Sequence, residues 1–188
     1  MLKTILLTCA VSICGLQTAL ADCPTAPDHT SALSQLSEKA RAAPNETQGR
    51  EISNKMWELW VDAPNEQAQA ILDRGMQKRS SYDLLGAIED FTALIGYCPE
   101  YAEGYNQRAF ALFLQENFTG ALPDLDRALE LSPNHVAARS GRALTHMQLG
   151  DVAKARTDLM AALEDNPWIS ERHLLANGAP LAAPGDDI

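Results

Sequence analysis

The side chains with the best claim to chemistry are three aspartates, Asp90, Asp124 and Asp158, set 34 residues apart. A carboxylate can act as a general base when its site tunes its proton affinity to the task. Each of these, however, is matched by an arginine recurring at the same interval, Arg74, Arg108 and Arg142. A guanidinium fork beside a carboxylate engages both oxygens and keeps the group ionised. Repetition at equivalent places then argues for architecture rather than catalysis. The four histidines, His29, His135, His146 and His173, share no metal-ligand spacing with one another or with cysteine. There is no strand–turn–helix nucleophile motif, no glycine-rich phosphate loop and no Cys-x-x-Cys. The expectation is a protein that is not an enzyme and holds no metal and no cofactor.

The elements that position these residues are read from the same period. Gly75, Ala109 and Ala143 form a column of small residues, and Ala87, Ala121 and Ala155 form a second. Phe91, Leu125 and Leu159 make a large apolar column, Leu94, Ala128 and Ala162 follow it, and Pro99, Pro133 and Pro167 close each unit. No gap is needed across residues 68–169. Facing small residues let two antiparallel helices approach closely, and the large residue one turn on fills the space beside them. Proline just past the second helix cannot continue it, lacking an N–H and crowding the preceding turn. The turns within the pairs read Ser80-Ser81-Tyr82-Asp83, Gln115-Glu116-Asn117 and Gly150-Asp151. Folded about such turns, Arg74 should meet Asp90, Arg108 should meet Asp124, and Arg142 should meet Asp158. No single hairpin can bury its apolar face, so the units must stack.

The 34-residue period, the small–small–large–small spacing and the terminal proline resemble the tetratricopeptide repeat. That resemblance implies an all-α fold, a helical-hairpin solenoid (a superhelix) with units at 68–101, 102–135 and 136–169. Ahead of it, Thr30 to Ala42 and Glu51 to Val61 read as helices, with a loop from Pro44 to Gly49. Ser53, Trp57 and Trp60 keep some columns there, but Arg41, Ala40 and Met56 break the others. Residues 30–67 are expected to be a degenerate hairpin capping the stack, since terminal units of a solenoid are atypical. Trp57 and Trp60 are assigned to that capping core. Residues 170–176 should form a short C-terminal cap, and 177–188, poor in large apolar residues, a disordered tail.

In this family the leading helices line a concave face. The resemblance therefore implies a groove of Leu72, Met76 and Arg79, then Asn106, Phe110 and Phe113, then Ser140, Leu144 and Met147. A mostly apolar face of this kind suits an extended or helical apolar segment of a protein or peptide partner. Part of it could instead be covered by the chain's own first hairpin or tail, or by packing in a homo-oligomer. Some members clamp a C-terminal carboxylate with basic and amide side chains. The matching positions here carry Leu72, Met76, Gln107, Ala137 and Gly141, which leaves no cationic clamp. The function expected is a protein–protein interaction module, the alternative an accessory or regulatory subunit of an exported enzyme or envelope assembly complex.

The N-terminus supplies the compartment. Lys3, the apolar run from Thr4 to Leu16 and Ala19-Leu20-Ala21 have the pattern of a secretory signal, with cleavage after Ala21. The run falls short of the roughly 20 residues needed to span a bilayer. Cleavage leaves 22–29 as an extended segment and predicts a secreted, periplasmic protein without membrane insertion, resembling small repeat proteins of Gram-negative envelopes. The chain carries 15 basic and 25 acidic residues, and losing Lys3 takes the formal charge from −10 to −11. Such a balance lacks the electrostatic footprint of nucleic-acid binding. Cys9 and Cys14 leave with the signal, so Cys23 and Cys98 remain. An even pair in an exported chain points to a disulfide, with two free thiols as the alternative. Both cysteines should lie on the loop edge of the stack, within reach of an extended 24–29.

Overall fold

In the computed structural model, which describes residues 22–183, eight helices follow one another with short connections. They are α1 (Thr30–Ala42), α2 (Glu46–Trp60), α3 (Glu66–Ser80), α4 (Leu84–Tyr97), α5 (Ala102–Leu114), α6 (Phe118–Leu131), α7 (Val136–Gln148) and α8 (Val152–Asp165). A 3₁₀ helix spans Ser170–Leu175. The signal segment 1–21 and residues 184–188 lie outside the described residues.

Local chemistry sets the helix ends. Asn45, Asn65, Asp83, Asn117 and Asp151 each precede a helix and accept the N–H three residues on, at 2.9–3.2 Å. Such caps satisfy donors that have no intrahelical partner. The leading helices α3, α5 and α7 end alike. Tyr82, Glu116 and Gly150, 34 apart, have φ of 66°, 60° and 80°. The N–H groups of Asp83, Asn117 and Asp151 each reach back to a carbonyl at 2.9 Å, from Lys78, Leu112 and His146. This left-handed closure turns the chain directly into the next helix. Asn45 also explains why α2 starts at Glu46 instead of Glu51: the expected loop through Gly49 is helix, because an Asn cap nucleates it.

Hairpins α3–α4, α5–α6 and α7–α8 stack in sequence, with α4 on α5 and α6 on α7. The repeat columns are their interior. Gly75 and Ala87, Ala109 and Ala121, and Ala143 and Ala155 are all buried, as are Phe91, Leu125 and Leu159. A Cβ on Gly75 would overlap the Phe91 ring, which is why the smallest residue stands opposite the largest.

The first hairpin does not cap the stack. α2 makes no comparable packing along α3; α1 instead lies against α8. Leu33, Ala40, Met56 and Trp60 share a core with Val136, Ala162, Trp168 and Ile169. Polar contacts join the same distant parts: Trp168 Nε1 donates to Ala40 O at 2.8 Å, and Asn166 Nδ2 to Ser53 Oγ at 2.7 Å. Arg172 pairs with Glu46 at 2.8 Å. The hairpin thus reaches from the start of the solenoid to its end. With Arg41 and Met56 where small and acidic residues would be needed, it lacks the means to dock as a repeat. Trp60 lies in that shared core and Trp57 packs against it.

The tail also departs from expectation as far as it is described. Leu181 is fully buried with Leu159 and Leu174, its N–H bonds Leu174 O at 2.9 Å, and Arg156 Nη1 donates to its carbonyl at 2.6 Å. One leucine with two backbone anchors holds residues 177–183, which composition alone had marked as too polar to pack.

Along the opposite edge, residues 22–29 run without helix, and Cys23 and Ala26 pack on the core of α3 and α4. The Cα atoms of Cys23 and Cys98 are 5.1 Å apart and their sulfurs face one another.

Candidate functional site

The three arginine–aspartate pairs meet across their hairpins. Arg74 Nε and Nη2 both donate to Asp90 Oδ1, at 2.9 and 2.7 Å, and Lys78 Nζ sits 2.8 Å from Oδ2. Arg108 and Arg142 bind bidentately, at 2.6–2.7 Å, to Asp124 and Asp158. The hydrogen bond from Arg74, aided by Lys78, holds the Asp90 carboxyl below the usual aspartate range, despite burial. The same bonds raise Arg108 and Arg142. Two of these arginines also reach back one repeat: Arg108 Nη1 to Thr92 Oγ1 at 3.2 Å, and Arg142 Nη1 to Asp126 at 2.8 Å. Thr92 and Asp126 are themselves 34 apart, so these links between units follow the repeat as well. Side chains so engaged tie each hairpin together and, through Arg108 and Arg142, join it to the preceding repeat.

The concave face, by contrast, keeps an opening. A cavity of about 210 Å³ lies between α5 and α7, with Trp57 of α2 and Glu171 of the 3₁₀ helix on its wall. Five of the nine expected groove residues line it: Asn106, Phe110, Phe113, Ser140 and Leu144. Phe110, 44% exposed, forms its mouth. Phe113 stands edge-on to Phe118, with centroids 5.2 Å apart. Arg79 does not line the cavity, but its guanidinium stacks 4.3 Å over the Phe110 ring. Burial pushes its pKa down, against the pull of Glu103, and among the described residues it forms no ion pair.

The other groove residues stand elsewhere. Leu72 is fully buried under Ala87 and Phe91, so it is core and not surface. Met76 packs on that same core, and Met147 on the cluster of Leu159, Leu174 and Leu181. Only the second and third units line the opening; in the first unit Leu72 and Met76 are taken up by the core of their own hairpin, and Met147 by the C-terminal segment.

Beneath the cavity lies a polar knot. Glu103, 1% exposed, accepts from Asn106 Nδ2 at 3.0 Å, Gln107 Nε2 at 2.5 Å and His135 Nε2 at 2.8 Å. His135 caps α7 through Nδ1, which accepts the Ala138 N–H at 3.3 Å, so Nε2 carries the proton. Trp60 stacks on the His135 ring, with centroids 4.3 Å apart and planes at 12°. Tyr101 donates to Trp60 O at 2.8 Å, and burial beside Glu103 pushes its phenol well above the ordinary range. These residues hold the first hairpin on the solenoid and fix the floor of the cavity. Gln107, Ala137 and Gly141, three of the positions that match the family's clamp, do line the cavity; spacing gave His135 and Glu171 no role here, because each meets its partners only across separate elements. Among the described residues, no three His, Cys, Asp or Glu side chains are placed to hold a metal, and no helix is long and apolar enough to cross a membrane.

Comparison with known proteins is consistent across sequence and structure. The tetratricopeptide repeat family model matches residues 107–168. Human tetratricopeptide repeat protein 36 is 43% identical over 131 residues, spanning 67% of this chain and 68% of that one. Its Xenopus tropicalis counterpart is 43% identical over 116 residues, 58% of this chain and 56% of that one. Among solved structures, the TPR2B domain of yeast Sti1 in complex with pHsp70 superposes with a TM-score of 0.53 and 28% identity. It covers 60% of this chain and 89% of that domain. The first TPR of Spaghetti (RPAP3), bound to the HSP90 peptide SRMEEVD, gives 0.55 at 24% identity, covering 57% and 86%.

Proposed function

This chain belongs to the tetratricopeptide repeat family, a family of protein-interaction domains, and on that premise we propose that it is an exported module that captures an apolar segment of a partner protein in the cavity between α2, α5 and α7. The observation that carries the reading is the opening itself: an apolar recess, walled by Phe110, Phe113, Leu125 and Leu144, stays open on the concave face beside Trp57 of the first hairpin. Pockets of this kind, with an aromatic at the mouth, are where binding energy concentrates. Solved relatives carry peptides of HSP90 and pHsp70. The acidic side chains of the peptide SRMEEVD find no matching cluster of cations here; Glu103 and Glu171 adjoin the cavity instead. An apolar anchor is therefore the better-matched ligand.

Export rests on the pattern of residues 1–21, and the adjacency of Cys23 and Cys98 supports it. A bond between them would persist in an oxidising compartment such as the periplasm. It would tie 22–29 along the loop edge, next to where Tyr101 grips Trp60. N-terminal sequencing of protein from the envelope fraction should begin at Asp22; an uncleaved cytoplasmic chain contradicts export. For binding, a random-peptide display selection on the folded protein should enrich sequences with a bulky apolar anchor. A Phe110→Asp bait should not retain them. No enrichment above the variant contradicts the reading.

A further inference from the structure

We infer that Asn177 is a site of spontaneous covalent modification: the Gly178 backbone nitrogen attacks its carboxamide, and the isoaspartate that results releases the buried Leu181. Asparagine is among the thermolabile residues. What decides its fate is whether the next backbone nitrogen is free to reach Cγ. The chain has eight asparagines, and the structure withholds seven of them from this reaction. Asn54 and Asn106 lie inside α2 and α5, where the following N–H serves the helix. Asn45, Asn65 and Asn117 cap helices, each with its side-chain oxygen held by the N–H three residues on. The N–H of His135, next to Asn134, donates to Ser132 O at 3.1 Å. Asn166 precedes Pro167, which has no N–H.

Asn177 is the exception. It and Gly178 are both exposed. They occupy the two central positions of a turn closed by the Ala179 N–H on Ala176 O at 2.9 Å, with Gly178 at φ 75°. Among the described residues the Gly178 N–H has no acceptor. Nothing crowds the attacking nitrogen either: glycine carries no Cβ, and the place where one would stand has no atom within 4 Å.

The step needs no reagent except water. A bond forms between Gly178 N and Asn177 Cγ, the Cγ–N bond of the carboxamide breaks, and ammonia leaves with the backbone amide proton. A cyclic imide remains. Water then adds to one of its two carbonyls and breaks the bond from that carbon to nitrogen. Opening at Cγ gives aspartate. Opening at the backbone carbonyl gives isoaspartate, whose main chain runs through Cβ and Cγ and is one atom longer.

The consequence lies four residues on. Leu181 is fully buried, its N–H bonded to Leu174 O at 2.9 Å and its carbonyl held by Arg156 Nη1 at 2.6 Å. The turn at 176–179 lies between these two leucines and sets their register, so an added backbone atom draws Leu181 out of its site. Aspartate keeps the chain length and leaves the anchor in place. Leu144, in the cavity wall, packs on the same cluster as Leu174 and Leu181, so the release also loosens the support of the binding face.

Peptide mapping of the folded protein, kept in neutral buffer and sampled over weeks, tests the chemistry. The fragment containing Asn177 should gain the mass by which a carboxyl exceeds a carboxamide and resolve into aspartate and isoaspartate forms. Its rate should be comparable to that of the free peptide Leu-Ala-Asn-Gly-Ala, while fragments holding the other asparagines stay unchanged. Asn177→Ser should show no such product. An intact Asn177 when the free peptide is half converted, or earlier conversion of another asparagine, overturns the inference. Hydrogen exchange on the separated isoaspartate form tests the release: the Leu181 N–H should lose its protection, whereas Asn177→Asp should keep it. Equal protection of Leu181 in the isoaspartate form and in unmodified protein overturns the release.

Discussion

Replacing Gly49 by alanine sets two physical effects against each other with opposite signs. Gly49 lies inside α2, where alanine should stabilise the helix by about 0.8–1.0 kcal/mol on propensity alone. It is also buried, and a Cβ there would overlap the indole of Trp168, which is held by its hydrogen bond to Ala40 O. Overpacking of that kind costs about 1–3 kcal/mol. The indole is tethered at one end and cannot swing freely, so packing should win, with a net loss of about 1–2 kcal/mol. With a urea m-value of roughly 2 kcal/mol/M, the unfolding midpoint should fall by about 0.5–1 M. Gly96→Ala is the control: it lies near the end of α4 with open space around the added methyl, and it should raise the midpoint slightly. Chemical denaturation followed by circular dichroism reads both. If Gly49→Ala stabilises the protein as Gly96→Ala does, the first hairpin does not lie against the end of the solenoid.

Three further outcomes follow from the geometry. Arg108→Ala should cost about 2–3 kcal/mol, less than a wholly buried pair because Arg108 is 22% exposed while Asp124 is 8% exposed. Changing both Arg108 and Asp124 to leucine should cost less than the two single changes summed; additive losses would mean that the pair does not interact. The depressed Asp90 pKa stabilises the fold above the ordinary aspartate value of about 3.9, and this contribution is lost as pH falls through the folded value. Asp90→Asn should therefore flatten the acid limb of stability below about pH 4 and leave its slope near neutrality unchanged. Unreduced intact mass of the exported protein should be two hydrogens lighter than that of the thiol form. Reduction should lower stability by up to about 4 kcal/mol, given the sequence separation of 75 residues; two alkylatable thiols in the folded protein would contradict the bond.

What the sequence displayed was periodic, and what it concealed was singular. Columns such as Ala87, Ala121 and Ala155 are buried in every unit because one packing problem recurs, so spacing alone identifies them. The fold-back of α1 and α2 rests on contacts used once, between residues more than a hundred positions apart, such as Trp168 with Ala40. Amphipathic spacing indicates that Met56 and Trp60 need a partner surface, but not which one. Leu72 was placed in the groove by its column, yet the first solenoid unit has its concave side taken up by core. Leu181 escaped notice because a single apolar residue in a Gly/Ala/Pro stretch leaves no pattern. The cavity inherits both situations: Phe110 and Leu144 were legible from the repeat, whereas Trp57 and Glu171 were brought there by unrepeated contacts.

The central claim is that binding occurs at this remaining opening. A fluorescently labelled peptide from the display selection, titrated by anisotropy against three proteins, tests it most directly. The wild type should bind. Leu85→Asp, which alters an exposed α4 side chain away from the cavity, should bind equally well. Phe110→Asp should lose affinity by about a hundredfold, near 2.7 kcal/mol, while its helical signal stays unchanged. Undiminished binding by Phe110→Asp, or loss with Leu85→Asp instead, would contradict the account.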